Sequence, residues 1–317
     1  MDHQQALSKA IELAKNPKVQ IAAGLFLAFK SLTKLNAWYT KRVVNNHVHD
    51  PTWDWSREIV VVTGGSSGIG AVVVSRFANK GIKVLILDRN PPPTKLAANT
   101  YFYQADLADS ETISSVADRI RAEHGNPTVL INNAGYANTN SILDVSEAGL
   151  KRIFNVNIIA PILLTKQFLP NMVKQNHGHI VNVASQASFA TQATNVDYGA
   201  TKSGVLSFHE GLAQELRHLY NAPRVRTSVV HPTWVSTPMI ADLVAEGKLK
   251  DTPVTPEDVA DRIVNQVLSG FGSQIIVPPS LGWTSMIRGL PGWLQESLRD
   301  TVTIILINAN SNAKVRK

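Results

Sequence analysis

The chain runs to 317 residues at 44% hydrophobic content, enough for a large buried core, and its lack of cysteine excludes disulfides, thiolate chemistry and cysteine-ligated zinc. The net charge of +7 belongs to the two ends: residues 1–50 hold seven Lys/Arg against three acids, and residues 280–317 hold five against two. Residues 51–279 hold 19 of each, so the body has no basic bias toward nucleic acid, while the ends suit an anionic membrane surface or plain solubility.

Ala6 to Lys15 reads as a short helix stopped near Pro17. Val19 to Phe29 is an apolar run of eleven residues, short of the roughly 18–20 that span a bilayer. No small-residue cleavage site follows it, so a cleaved signal peptide is not expected. Lys15, Lys18, Lys30, Lys34, Lys41 and Arg42 flank the run, with Trp38 and Tyr39 beyond. That pattern predicts a helix lying in, or dipping into, a membrane surface; packing on the body is the alternative. His47-Val48-His49-Asp50 lacks a fourth ligand, so no metal is expected there.

From Glu58 the pattern changes. Ile59 to Val62 is a buried-strand run that feeds into Thr63-Gly64-Gly65-Ser66-Ser67-Gly68-Ile69-Gly70 and then a helical stretch. Lys83 to Asp88 is a second strand, ending on an acid 18 residues after Gly70. Strand, glycine turn, helix, strand and acid together point to a dinucleotide: glycines permit close approach to a pyrophosphate, and the helix N-terminus favours the anion. Gly64, Ser66, Ser67, Gly68, Ile69 and Gly70 form that expected cradle. Asp88 can accept from both ribose hydroxyls and repels a 2′-phosphate, which favours NAD over NADP. Arg89 beside it can accommodate the phosphate, so NADP stays open.

Thr100 to Gln104 reads as a third strand, followed by Asp106-Leu107. Asp106 can meet the adenine amino group or cap the helix opened by Ser110-Glu111. Thr128 to Ile131 is a fourth, closed by Asn132-Asn133-Ala134-Gly135, where small residues let a cofactor pass and Asn side chains tie strand ends together. A helical stretch from about Ser146 to Lys174 contains Asn157 among apolar residues, with Pro161 expected to kink it. His179 to Val183 is a fifth strand ending at Ser185. His177 and His179 show no evident partner and read as structural. A helix over about Val196 to Leu219 follows, then a sixth strand, Val225 to Val230, leading into His231-Pro232-Thr233-Trp234-Val235-Ser236-Thr237. Thr255-Pro256-Glu257-Asp258 opens a helix with a Thr cap and Pro at its first position. Gln274 to Val277 is the seventh strand.

Strands alternating with helices predict one parallel sheet covered on both faces, with ligands at the carboxyl ends of its strands. The expected divisions are an extension at 1–56 with a membrane segment at 19–38, a catalytic domain at 57–278, and a tail at 279–317. In the tail Leu281, Trp283, Met286, Ile287, Leu290, Trp293, Leu294 and Leu298 form an apolar set. It is expected either to face a membrane or to cover the sheet edge or the substrate pocket.

Tyr198 and Lys202 are four residues apart, one helical turn, on one face. An ammonium near a phenol favours phenolate, so the pair is expected to lower the Tyr198 pKa and work as acid and base near neutrality.

With these residues in place, the sequence from about Arg57 to Pro278 resembles the classical short-chain dehydrogenases/reductases. The resemblance rests on Thr63-Gly64-x-x-x-Gly68-x-Gly70, Asn132-Asn133-Ala134-Gly135, Asn157, Ser185, Tyr198-x-x-x-Lys202 and Pro232-x-x-Val235-x-Thr237. It implies a Rossmann-type α/β fold, a doubly wound seven-stranded parallel sheet in a single domain. It implies Tyr198 as acid/base, Lys202 lowering its pKa and holding the nicotinamide ribose, Ser185 on the substrate oxygen, and Asn157 holding a water in a proton relay. Asn133, Ala134, Gly135, Pro232, Val235 and Thr237 would meet the cofactor. Two positions depart from the family pattern: Thr233 for the usual Gly and Thr201 for the usual Ser.

The expected reaction is hydride transfer between a nicotinamide and a hydrophobic alcohol or carbonyl, a steroid, retinoid or fatty compound. Met239, Ile240, Leu243 and Val244 in the expected lid, with the apolar ends, motivate that polarity. The ends resemble the membrane- and lipid-droplet-associated branch that includes retinol and 17-beta-hydroxysteroid dehydrogenases. That implies the cytoplasmic face of the endoplasmic reticulum or a lipid droplet, with the cytoplasm as fallback. Family analogy implies a homodimer through the helices around 146–174 and 196–219. An epimerase or dehydratase, and a non-catalytic membrane-attached NAD-binding protein, are the rival readings.

Overall fold

The computed structural model describes residue 5 and residues 14–241 and 252–309, with backbone alone at 304–309. Residues 6–13 of the expected first helix, and Leu243 and Val244 of the expected lid, lie outside the described residues. The chain divides into two units, Met1–His47 and Val48–Lys317.

The first unit is carried by α1, Pro17–Val44. Asn16 caps it by accepting from Lys18 N at 2.9 Å, and Pro17 takes the first position, where a missing N–H costs nothing. The helix is 28 residues long, so it carries the apolar run well past Phe29. None of its residues is buried. Ile21, Leu25, Phe29, Leu32, Leu35 and Tyr39 recur every three or four residues and are all exposed, while Lys30, Lys34 and Lys41 fall on the opposite side.

The second unit is a sheet of seven parallel strands: β1 Ile59–Thr63, β2 Lys83–Asp88, β3 Thr100–Gln104, β4 Val129–Asn132, β5 His179–Val183, β6 Arg226–Pro232 and β7 Gln274–Val277. Their order is β3-β2-β1-β4-β5-β6-β7. The helices are α2 Gly68–Ala78, α3 Ser110–His124, α4 Glu147–Phe154, α5 Ala160–Gln175, α6 Val196–His218, α7 Pro256–Leu268 and α8 Gly292–Ala309. Side chains alternate across the strands, so each strand feeds two cores. Val61, Leu85, Leu87, Leu130 and Ile180 meet α3, α5 and α6 on one face. Val60, Val62, Ile86, Ile131 and Val181 meet Val73 and Phe77 of α2 and Ile263 and Val267 of α7 on the other. Each such buried side chain contributes about 1.5–3 kcal/mol, and every strand from β1 to β6 except β3 is nearly all core. The order reverses between β1 and β4, which opens a crevice at their carboxyl ends.

Just before Pro161 the helix departs from regular α geometry. A proline ring clashes with the carbonyl four residues back, and here that residue is Asn157. The chain relieves the clash with a π-helical turn at Asn155–Ile159, between α4 and α5. The continuous helix Glu147–Gln175 is long and apolar enough to cross a membrane, but half of its apolar window is buried in this fold, so it is a core helix.

His177 has partners that the sequence did not show. Its Nδ1 lies 2.7 Å from Asp50 Oδ2 and its Nε2 3.3 Å from Glu58 Oε2, with Trp53 against the ring at 4.2 Å. Asp50 is thereby committed to His177 and to the Thr52 hydroxyl. His179 pairs with Ser228 Oγ at 2.8 Å.

The tail docks on the body. A 3-10 stretch at Pro279–Gly289 leads into α8. Thr284 Oγ1 donates to Gln186 Oε1 at 2.6 Å, and Arg288 Nη2 donates to Ser188 O at 2.9 Å and Ser203 Oγ at 3.0 Å. Trp283, Met286 and Trp293 stay exposed.

Candidate active site

The glycine turn closes on itself where β1 ends. Gly64 has φ +65°, and a Cβ there would sit 2.9 Å from Ala134 Cα. A Cβ on Gly70 would strike the Gly64 carbonyl and lie 2.6 Å from Asn133 Nδ2. That amide nitrogen donates to Thr63 O at 3.0 Å and Gly64 O at 3.2 Å, while Thr63 Oγ1 accepts from the N–H groups of Asn133 and Ala134. The β1 and β4 ends are thus bound into one floor. Asn132 ties β4 to β5 through Asn182 Oδ1 at 2.9 Å.

Helix α2 starts from this floor. Among the described residues no side chain caps it, and its first turn holds no acid. By contrast Asp109 caps α3, Ser146 caps α4 and Thr255 forms a capping box on α7. The open amide groups and the helix dipole at Ser67, Gly68 and Ile69 fit a pyrophosphate.

Asp88, at the end of β2, is fixed by Ser66 N on Oδ2 at 3.0 Å and Asn90 N on Oδ1 at 3.1 Å. Each oxygen keeps a lone pair for a ribose hydroxyl. Asp106 is not the cap of α3; Asp109 is, accepting from Glu111 N at 3.0 Å. Asp106 instead takes Arg152 Nη2 at 3.1 Å on both oxygens and Ala108 N on one. Burial opposes its charge, yet the Ala108 N–H and the Arg152 guanidinium hold its carboxyl below the usual range.

At the other end Tyr198 and Lys202 project from one face of α6. Lys202 is buried, donates to Val183 O at 2.9 Å and lies over the Tyr198 ring, 5.6 Å from its centroid. Burial pulls the Lys202 ammonium down to about 8. Burial also pushes the Tyr198 phenol up, against a hydrogen bond from Ser185 that pulls it down. The expected depression of Tyr198 by Lys202 is therefore overturned in the chain alone: desolvation of the phenol prevails, and the ammonium is turned to a carbonyl.

Asn157 lies in the π turn, behind the cavity wall. Its Nδ2 donates to Tyr136 O at 2.8 Å and Thr201 Oγ1 at 3.0 Å, and its Oδ1 accepts from Tyr136 N at 2.7 Å. Thr201 Oγ1 donates in turn to Tyr198 O at 2.7 Å. Thr201 keeps the hydroxyl of the serine it replaces and uses it to bind Asn157 to the Tyr198 helix.

These elements surround one cavity of about 670 Å³. Gly64, Ser67, Gly68, Ile69, Asp88, Arg89, Asp106, Leu107, Asn133, Ala134, Gly135, Ser185, Tyr198, Lys202, Pro232, Val235 and Thr237 line it. Ser66, Gly70 and Asn157 support the wall from behind. Sequence reasoning missed Arg152, Tyr136 and Asn138, which carry no motif. It noticed the tail without deciding its place: Leu281, Trp283, Ile287, Leu298 and Val302 form part of the wall, with Met239 and Ile240.

A family model for the short chain dehydrogenases matches residues 58–248. The chain belongs to the short-chain dehydrogenase family. Dehydrogenase RED2 of Cochliobolus heterostrophus is 42% identical over 209 residues, 65% of this chain and 79% of that protein. Estradiol 17-beta-dehydrogenase 11 of Homo sapiens is 32% identical over 243 residues, 74% of this chain and 79% of that protein. A solved metagenomic short-chain oxidoreductase in complex with NADP superposes with a TM-score of 0.58 at 29% identity, covering 70% of this chain and 97% of that one. This short-chain dehydrogenase is an NAD(P)-dependent enzyme acting on CH–OH groups.

Proposed function

We propose that the enzyme interconverts an apolar secondary or primary alcohol and its carbonyl compound, with NAD as the preferred nicotinamide. The observation that carries this reading is one cavity with Ser185 and Tyr198 at one end and Asp88 with the open α2 terminus at the other. A bound nicotinamide supplies the hydride acceptor or donor. Ser67, Gly68 and Ile69 hold its pyrophosphate, Asp88 its adenosine ribose, Lys202 its second ribose, and Val235 and Thr237 its carboxamide side. In oxidation the Tyr198 oxygen takes the hydroxyl proton; in reduction it gives one. Ser185 donates to the substrate oxygen and steadies developing negative charge where it forms. Asn157 and Thr201 hold the helix that presents Tyr198, and Asn157 would hold the water of a proton relay.

The substrate body is apolar because Met239, Ile240, Leu281, Ile287, Leu298 and Val302 face it. A steroid, retinoid or fatty alcohol suits that wall, and the name of estradiol 17-beta-dehydrogenase 11 supports the first of these. Incubation with NAD or NADP and a panel of such alcohols, followed at the reduced-nicotinamide absorbance, tests the reading. Turnover of only polar alcohols, or of none, overturns it. Asp88→Ser in the same assay is expected to lower the NAD-over-NADP preference in kcat/KM by about tenfold or more, because one carboxylate facing a 2′-phosphate is removed. An unchanged ratio means that Asp88 does not read the ribose.

The membrane part of the proposal rests on α1. A 28-residue helix with an exposed Ile21-to-Tyr39 stripe and lysines opposite it suits the surface of an anionic membrane or lipid droplet. The enzyme is expected to float with anionic vesicles in a density gradient. A chain lacking residues 1–47 is expected to stay at the bottom, and Met286→Glu with Trp293→Glu to float less than the parent. Equal flotation of all three removes both ends as anchors.

A further inference from the structure

A buried histidine that no step above uses lies beside the catalytic serine. His231 is next to last in β6, with no exposed surface. Its ring meets Phe189 at 4.4 Å between centroids. Nδ1 lies 3.1 Å from the Ser185 carbonyl oxygen, and Nε2 lies 3.3 Å from Gln274 Nε2. A carbonyl only accepts, so Nδ1 carries the proton; an amide nitrogen only donates, so Nε2 is bare. The two contacts require the same neutral tautomer. Burial, with Lys202 adding, brings His231 down to about 4 against the Ser185 carbonyl, so the ring is neutral at pH 7.

Packing alone does not ask for histidine here. A phenylalanine would rest on Phe189 with no polar nitrogen to desolvate. What histidine adds is one N–H aimed at the Ser185–Gln186 peptide. Ser185 is extended, with φ −168° and ψ 164°, at the start of the 3-10 turn Gln186–Ser188. Its Oγ accepts from Ala187 N at 3.2 Å, and its carbonyl accepts from Ser188 N at 3.0 Å. A change in ψ at Ser185 would turn its carbonyl away from His231 and swing Gln186, and with it the Ala187 N–H, away from Oγ. The contact is also reciprocated: Gln186 Nε2 reaches His231 O at 3.5 Å, while Gln186 Oε1 is held by Thr284 of the tail.

We propose that His231 is a positioning residue: its Nδ1–H locks the Ser185–Gln186 peptide and so aims the Ser185 hydroxyl at the substrate oxygen. The proposal rests on the role of Ser185 given above. The experiment uses the full chain with its best alcohol from the panel. His231→Phe keeps the ring and loses the donor. His231→Gln returns an amide at the reach of Nε2, and His231→Asn returns an N–H at the reach of Nδ1. Phe and Gln are expected to lower kcat by about 10- to 100-fold, the usual effect of a small misplacement of a reacting group. Asn is expected to recover most of that loss. The dinucleotide Kd, read by protein fluorescence, is expected to change less than about twofold throughout, since the loss falls on kcat. Equal kcat for Phe and parent overturns the proposal, as does an Asn variant as slow as Gln. Should the Phe variant not fold, the Asn–Gln comparison decides alone. Ser185→Ala separates the two readings: if it leaves kcat intact, the role of Ser185 is wrong; if it lowers kcat while the His231 series does not, the positioning role alone falls.

Discussion

Tyr198→Phe is expected to bind the dinucleotide as the parent does and to lose turnover by about 10²- to 10⁴-fold, the range carried by a placed proton-transfer group. The substitution removes one oxygen and leaves the ring beneath Lys202, whose Nζ lies 5.6 Å from its centroid. The amine keeps its bond to Val183 O, so the ribose side of the site is unchanged. What is lost is the phenol paired with Ser185, the group in the described wall that can take a proton from a carbinol beside that serine. Burial holds that phenol above its ordinary value while Ser185 draws it down, so the parent is expected to oxidise alcohols faster as pH rises. The Phe variant is expected to show no such rise. Steady-state rates against pH, with dinucleotide affinity measured on the same samples, check both halves. A variant that turns over at the parent's rate would remove Tyr198 from the mechanism.

The sheet was legible because its strands are short, apolar and ended by polar residues. Ile59 to Val62, Lys83 to Asp88 and His179 to Val183 are each buried on both faces, so their sequences carry no alternation that could be mistaken for a surface strand. The glycine turn was legible because Gly64 and Gly70 stand where a Cβ would strike the backbone. Other features depend on contacts between distant segments, and no local pattern carries them. The Asp106–Arg152 pair spans 46 residues and the His177–Asp50 pair 127. The π turn was half legible: Pro161 announced a disturbance, but whether a helix bends or widens depends on what holds Asn157, and Tyr136 and Thr201 do. The direction of the Tyr198 shift was misread because spacing shows a neighbouring charge and not the burial that both groups share. The tail was apolar for two reasons at once. Leu281 and Ile287 line the cavity while Met286 and Trp293 stay exposed away from it, and composition does not separate the two.

Lys202→Met is expected to yield a more stable and nearly inactive protein. The Lys202 ammonium is buried and brought down from 10.5 to about 8, which corresponds to a folding cost of about 3 kcal/mol near pH 7. The sign follows from proton binding: between those two values the unfolded chain holds the proton and the folded chain does not, so the parent gains stability as pH rises from about 8 to 10.5. Below about pH 8 both states hold it and the full cost stands. Methionine fills similar volume without charge. It forfeits the bond to Val183 O, about 1 kcal/mol, so a net gain of about 2 kcal/mol is expected at pH 7. Urea midpoints of parent and variant are expected to converge as pH rises from about 8 and to cross before 10.5, since the cost of the buried ammonium fades while the lost bond to Val183 O remains. Activity moves the other way. The variant loses the cation that would hold the ribose, so dinucleotide affinity and, through a misplaced nicotinamide, kcat are both expected to fall by about 10²-fold or more. A variant less stable than the parent at pH 7, or one with a midpoint difference that does not narrow with pH, would show that burial of the ammonium is already compensated within the fold. The expected outcome instead assigns that compensation to the bound dinucleotide, and the enzyme then carries an unpaid charge in its core until the cofactor arrives.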